Sequence, residues 1–173
     1  MPYCRIPVST SLTSNLAEEI RRRVRRVYPE MLEYLELLVR AESPTSDPFA
    51  VAEVFRLLEA PLRKLGFETR RIRGKTSAGV LTAFPRSRRR GAPAQLLLGH
   101  ADTVWPVGTL QDMPIREEGG RLYGPGVFDM KGGLAQLVYS LRILHSLDPP
   151  PVVTPVVLIT SDEELRGDDS RRW

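Results

Sequence analysis

Apolar residues recur along this chain first at helical and then at strand spacing. Leu16, Ile20, Val24 and Val27 fall on one helical face, with Ser14 as a candidate cap. Pro29 sits where a second helix would open, because proline is tolerated in a first turn. Met31, Leu32, Leu35, Leu38 and Val39 form the apolar stripe of that second helix. Ser43-Pro44-Thr45-Ser46-Asp47-Pro48 has turn chemistry. A further helix is expected from about Phe49 to Leu65, stopped by Gly66. Residues 1–13 show no periodicity and are expected to be a disordered lead-in.

Strand patterns follow. Phe67 to Ile72 alternates weakly, Gly79 to Phe84 is short and apolar, and Arg86 to Pro93 is a polar loop. Ala94 to Leu98 reads as an apolar run of the kind that forms a strand buried on both faces. Residues 106–120 are rich in turn formers and predict a long loop. Leu134, Leu137, Val138, Leu141 and Leu144 predict a helix over Leu134 to Leu147. Pro149-Pro150-Pro151 predicts a linker, and Val152 to Ile159 a β-branched strand. Helices alternating with buried strands predict an α/β domain. Its sheet would be mostly parallel, with a site at the carboxyl ends of the strands.

Composition narrows the class. A chain of 173 residues with 42% hydrophobic and 27% charged residues can bury one core. The single cysteine, Cys4, allows no internal disulfide, which suits a reducing compartment, so a cytoplasmic location is expected. No apolar run reaches the roughly 20 residues of a bilayer span, so no membrane partner is expected. The start of the chain lacks the order of a secretory signal. The net charge of +4 comes mainly from arginine, in the runs Arg21–Arg26 and Arg86–Arg90. Neither run is interleaved with aromatics. They are expected to be a solvated helix face and a loop, with no nucleic-acid partner.

Three clusters carry candidate chemistry. Gly99-His100-Ala101-Asp102-Thr103 follows the Ala94–Leu98 strand. A ligating histidine needs an acceptor for its second ring nitrogen, and Asp102 is close enough to serve if the chain turns. Tyr123-Gly124-Pro125-Gly126-Val127-Phe128-Asp129-Met130-Lys131-Gly132-Gly133 places one carboxylate between glycines, before a helix. Asp162-Glu163-Glu164 follows the last strand. Such crowded carboxylates repel one another unless a helix terminus or a cation offsets them. Of two adjacent glutamates, one can bind a cation while the other takes a proton from the attacking water. Together these groups are the nitrogen and oxygen donors that zinc accepts. A serine triad is disfavoured, since no Gly-x-Ser-x-Gly elbow is present. His145, among apolar helical neighbours, is expected to be a surface or packing residue.

These residues, in this order, resemble the zinc-dependent family of glutamate carboxypeptidase, acetylornithine deacetylase and succinyl-diaminopimelate desuccinylase. The similarity is carried by Leu96–Val104, Tyr123–Gly126 with Asp129–Gly133, and Thr160–Glu164, and extends over about residues 30–164. Trp105-Pro106-Val107-Gly108-Thr109-Leu110 is most similar to the glutamate carboxypeptidase branch. The resemblance implies a three-layer α/β/α zinc-exopeptidase-like catalytic domain with a mostly parallel or mixed sheet, here incomplete over residues 14–173.

It also implies roles. His100 would bind one zinc and Asp102 would orient His100. Asp129 would bridge two zincs, Glu164 would bind the second, and Glu163 would be the general base. Cobalt or manganese could substitute. Substrates would be N-acyl amino acids or small peptides with a free carboxylate. Family members are longer. The missing part would bring another carboxylate, the last histidine and a dimerisation domain. The text from Leu165 to Trp173 departs from the family's Gly-Ser and Ser-Arg continuation. This chain alone is therefore expected to be impaired or inactive, or to keep only a binding role.

Overall fold

A computed structural model describes residues 10–88, 91–149 and 151–172. Residues 1–9 of the expected lead-in lie outside that range, while residues 10–13 are already helical. Helix α1 runs unbroken from Thr10 to Arg40, with Pro29 inside it. The two helices expected around Pro29 are therefore one. Proline interrupts the backbone ladder where it sits, but Pro29 faces solvent, and buried residues lie on both sides of it. Val27 precedes it, and Leu35, Leu38 and Val39 follow. The stripe is covered unevenly, since Leu16 and Val24 remain exposed. The second half of α1 is tied to a later helix, where the Tyr139 hydroxyl donates to the Glu30 carbonyl at 2.9 Å.

Helix α2, Pro48–Lys64, starts where the sequence predicts and for a visible reason. Asp47 Oδ1 accepts from the N–H groups of Phe49 and Ala50, both at 3.0 Å, as a helix cap does. Its inner face buries Val51, Val54, Phe55, Leu58 and Leu62. Each such side chain contributes about 2 kcal/mol on leaving water.

Four strands form the main sheet: β1 (Phe67–Ile72), β2 (Val80–Pro85), β3 (Ala94–His100) and β6 (Thr154–Thr160), in the order β1-β2-β6-β3. Strands β1 and β2 pair antiparallel, as do β2 and β6. Only β3 and β6 are parallel, so the sheet is mixed. The stretch 106–120, expected to be a long loop, holds a short helix, α3 (Thr109–Asp112), and β4 (Arg116–Glu118), which pairs with β5 (Arg121–Tyr123) just beyond it. Helix α4 is Gly132–His145. Pro149 and Pro151 flank Pro150, which lies outside the described residues.

Helices α1, α2 and α4 share one core with the sheet face that carries Leu81, Ala83, Leu97, Val157 and Ile159. The opposite face explains a second difference from the sequence reading. Leu96 and Leu98 of β3 are 55% and 61% exposed, so that strand is covered on one side only.

The arginines of the first run, Arg21, Arg22, Arg25 and Arg26, are exposed on α1. Arg22 and Arg23 pair with Glu19. Arg86 and Arg88 are exposed after β2, and Arg89 and Arg90 lie outside the described residues. Among the described residues, no helix is long and apolar enough to cross a membrane.

Candidate metal centre

The parallel pairing of β3 with β6 creates the site. His100 lies opposite Thr160 in the register, so both strands end at the same sheet edge. The Ala101 N–H continues the ladder by donating to the Thr160 carbonyl at 2.9 Å. Beyond this edge the chain delivers His100 from β3 and Ser161–Glu164 from β6. A third segment, the turn before α4, brings Asp129.

His100 is buried, 6% exposed. Its Nδ1 lies 3.0 Å from the backbone carbonyl of Asp102 and 3.5 Å from that residue's carboxylate. The carbonyl is thus the nearer acceptor for the inner ring nitrogen. Its Nε2 faces outward, 3.0 Å from Asp129 Oδ1 and 3.8 Å from Glu163 Oε2. Burial alone would push the imidazole pKa down. The carboxylates of Asp102 and Asp129 outweigh it and raise the value to about 9.

The turn Val127–Lys131 aims Asp129 away from the core. Asp129 (φ −123°, ψ 104°) and Met130 (φ −125°, ψ 31°) leave helical geometry, so this carboxylate projects before α4 begins. Gly126 makes the turn possible. It has φ +71°, and a Cβ there would lie 2.8 Å from Thr103 Cγ2. Lys131 anchors the turn from below. It is buried, and its ammonium donates to the Ala41 carbonyl at 2.8 Å. Burial pushes its pKa down to about 8, against the opposing pull of Glu42.

Asp102 is 1% exposed and organises the third segment. Its Oδ1 accepts the Glu163 N–H at 3.3 Å and its Oδ2 the Glu164 N–H at 3.1 Å. The Thr45 hydroxyl donates to Oδ2 at 2.8 Å. Burial opposes its charge, but the His100 ring, Thr45 and the Glu164 N–H more than compensate and lower its pKa. Glu164 is shifted the other way. Burial raises its pKa, and the nearby carboxylates of Asp129, Asp102 and Glu163 add to the rise despite His100.

The structure brings the predicted residues together. One ligand atom each from His100, Asp129 and Glu164 lies within 4.8 Å of the others. One imidazole and two carboxylates are a donor set that zinc accepts and that cobalt and manganese also tolerate. Glu163 stands beside this group, exposed and near His100 Nε2. His145 is exposed at the last residue of α4 and outside the cluster. Sequence reasoning missed Thr45 and Asp169, and named Asp162 only as part of the acidic cluster. Thr45 lies 57 positions from Asp102. Asp162 and Asp169 are bonded to each other behind the acidic loop.

Imidazole and carboxylate donors converging beside the carboxyl ends of parallel strands define the class as an α/β domain with a candidate metal centre. The chain belongs to peptidase family M20/M25/M40, whose model matches residues 96–172. That span includes Leu165–Arg172, so the similarity does not stop at Glu164 as the sequence reading had it. Carboxypeptidase G2 of Pseudomonas sp. (strain RS-16) is 36% identical over 83% of this chain and 34% of that protein. A succinyl-diaminopimelate desuccinylase of Nitrosospira multiformis is 33% identical over 78% of this chain and 35% of that protein. The chain therefore spans about a third of the length of these relatives. Human carnosine dipeptidase 1 shares the fold, with TM-score 0.77 and 17% identity over 90% of this chain and 36% of that one. So does an M20 family metallo-carboxypeptidase, Sso-CP2 from Sulfolobus solfataricus, with TM-score 0.69 and 20% identity over 83% and 33%.

Proposed function

We propose that this chain carries part of the catalytic centre of a zinc-dependent hydrolase of amide bonds. Its substrates would be N-acyl amino acids or small peptides with a free carboxylate. The observation that supports this most directly is the convergence of His100, Asp129 and Glu164 within 4.8 Å. His100 and Asp129 would hold one cation, and Asp129 and Glu164 the other. Such cations, when bound, acidify water and polarise an amide carbonyl.

The chain's own residues do the rest. Glu163, exposed and 3.8 Å from His100 Nε2, takes a proton from the attacking water and passes it to the leaving amine nitrogen. Asp102 holds His100 and the backbone of the glutamate pair, so the donors are fixed before a ligand arrives. The similarity to succinyl-diaminopimelate desuccinylase supports a deacylase as the second reading.

Each cation would have two ligands from this chain, whereas a catalytic zinc takes three protein ligands and a water. Residues outside this stretch would supply the others, along with a dimerisation domain. This stretch alone would bind cations weakly and hydrolyse little, keeping at most a binding role. Calorimetric zinc titration of the chain, beside amidase assays on a polypeptide of the relatives' full length, tests the proposal. Weak zinc uptake here and turnover there are expected. No uptake by either would refute the metal assignment, and tight uptake with turnover by this chain alone would refute the incomplete ligand set.

A further inference from the structure

The loop that carries Glu163 and Glu164 begins with three consecutive acidic residues, and its middle is exposed. Leu165 is 70% exposed, and Arg166 and Asp168 are also at the surface. Repulsion among Glu163, Glu164 and Asp129 favours such a loop swinging outward. Something must hold it in.

The restraint lies on the far side of the loop. After β1 the chain turns through Gly74-Lys75-Thr76-Ser77, and three successive N–H groups point at one oxygen. Lys75, Thr76 and Ser77 donate to Asp169 Oδ2 at 2.8, 2.9 and 3.0 Å. The Ser77 and Thr76 hydroxyls reach the same atom at 3.0 and 3.3 Å. Gly74 allows this approach, since a Cβ there would lie 2.7 Å from that oxygen. The Thr76 N–H above all, with the other donors, holds the Asp169 carboxyl down at about 2, so it is ionised at neutral pH.

Asp169 is in turn joined to the start of the loop. Its N–H donates to Asp162 Oδ2 at 2.8 Å, and the Ser170 N–H does so at 3.2 Å. The Gly167 N–H donates to the Asp162 carbonyl at 3.0 Å. Ser161, one residue earlier, donates its hydroxyl to the Gly79 carbonyl at 2.7 Å. Asp162 and Asp169 are both buried, and neither belongs to the His100 cluster. Most of their bonding is to backbone N–H groups, which is what a device for fixing a loop requires.

We propose that Asp169 is a positioning residue. By filling the Lys75–Ser77 turn and holding Asp162, it fixes the backbone from which Glu163 and Glu164 project. The proposal rests on the reading of those two glutamates given above.

Amide hydrogen exchange on the whole chain tests it without any metal. In Asp169→Ala, exchange at the Glu163 and Glu164 amides rises about tenfold or more. Val157 and Ile159 in β6 keep their protection, and Asp169→Asn, which retains an accepting oxygen, falls between. If the alanine variant does not fold, the asparagine variant carries the same comparison. Wild-type exchange at Glu163 and Glu164, with only the Lys75–Ser77 amides freed, would overturn the proposal. A parallel rise at Val157 and Ile159 would overturn it too, as loss of general stability. Cobalt titration of wild type and Glu164→Gln tests the underlying reading separately. Equal affinities would remove Glu164 as a ligand and leave the exchange result standing.

Discussion

The Glu164 N–H donates to Asp102 Oδ2 at 3.1 Å across 62 positions of sequence. The residue that follows β3 by two thus holds the residue expected to bind a cation after β6. Strand pairing brings the two segments to one edge, and this bond sets their spacing there.

Removing that carboxylate leaves the Thr45 hydroxyl and two N–H groups without their acceptor. Asp102→Ala is expected to cost about 2–4 kcal/mol of stability by urea unfolding. Thr45→Val, which removes one donor, is expected to cost about 1 kcal/mol. Equal, negligible losses in both would contradict Asp102 as an organising centre.

His100 gives a pH prediction. Its folded pKa is raised to about 9, above the unfolded value of about 6.5. Its protonation therefore stabilises the metal-free fold fully below about pH 6.5, and this contribution is lost as pH rises through about 9. A cation needs the neutral ring, so affinity should climb with pH up to about 9. NMR titration of the imidazole in wild type and Asp129→Asn checks this. The variant should titrate lower, and identical values would contradict the role given to Asp129.

Asp169 acts at the opposite end of the scale. Its folded pKa is lowered to about 2, below an unfolded value of about 3.9. Its stabilisation is present above about pH 4 and disappears as pH falls towards 2. Asp169→Asn should be less stable than wild type at neutral pH, with the gap closing over that window. A gap independent of pH would contradict the assignment.

Much of the site was legible because its residues follow strands that the sequence marks clearly. His100 and the glutamate pair follow such runs, Asp129 stands between glycines before the α4 stripe, and the fold gathers them. Pro29 misled because proline chemistry is local, whereas packing of Val27, Leu35 and Leu38 holds α1 continuous. The antiparallel pairing of β2 with β6 leaves no trace in either strand's pattern. Asp169 was invisible for the same reason. Its donors lie more than ninety positions away, and no local signal names them.

The exposed face of β3 carries a different expectation. Leu96 and Leu98 stand in solvent on the last strand of the described sheet, a surface that favours association. Leu98→Lys should lower self-association in sedimentation while leaving the unfolding midpoint nearly unchanged. A monomeric wild type under the same conditions would contradict this.

The most direct test is a crystal of this chain grown with excess zinc and measured across the zinc absorption edge. The account predicts two anomalous peaks at the β3–β6 edge, one within about 2.0–2.2 Å of His100 Nε2 and an Asp129 oxygen, the other at such distances from oxygens of Asp129 and Glu164. Zinc found only elsewhere, with those three side chains turned apart, would contradict it.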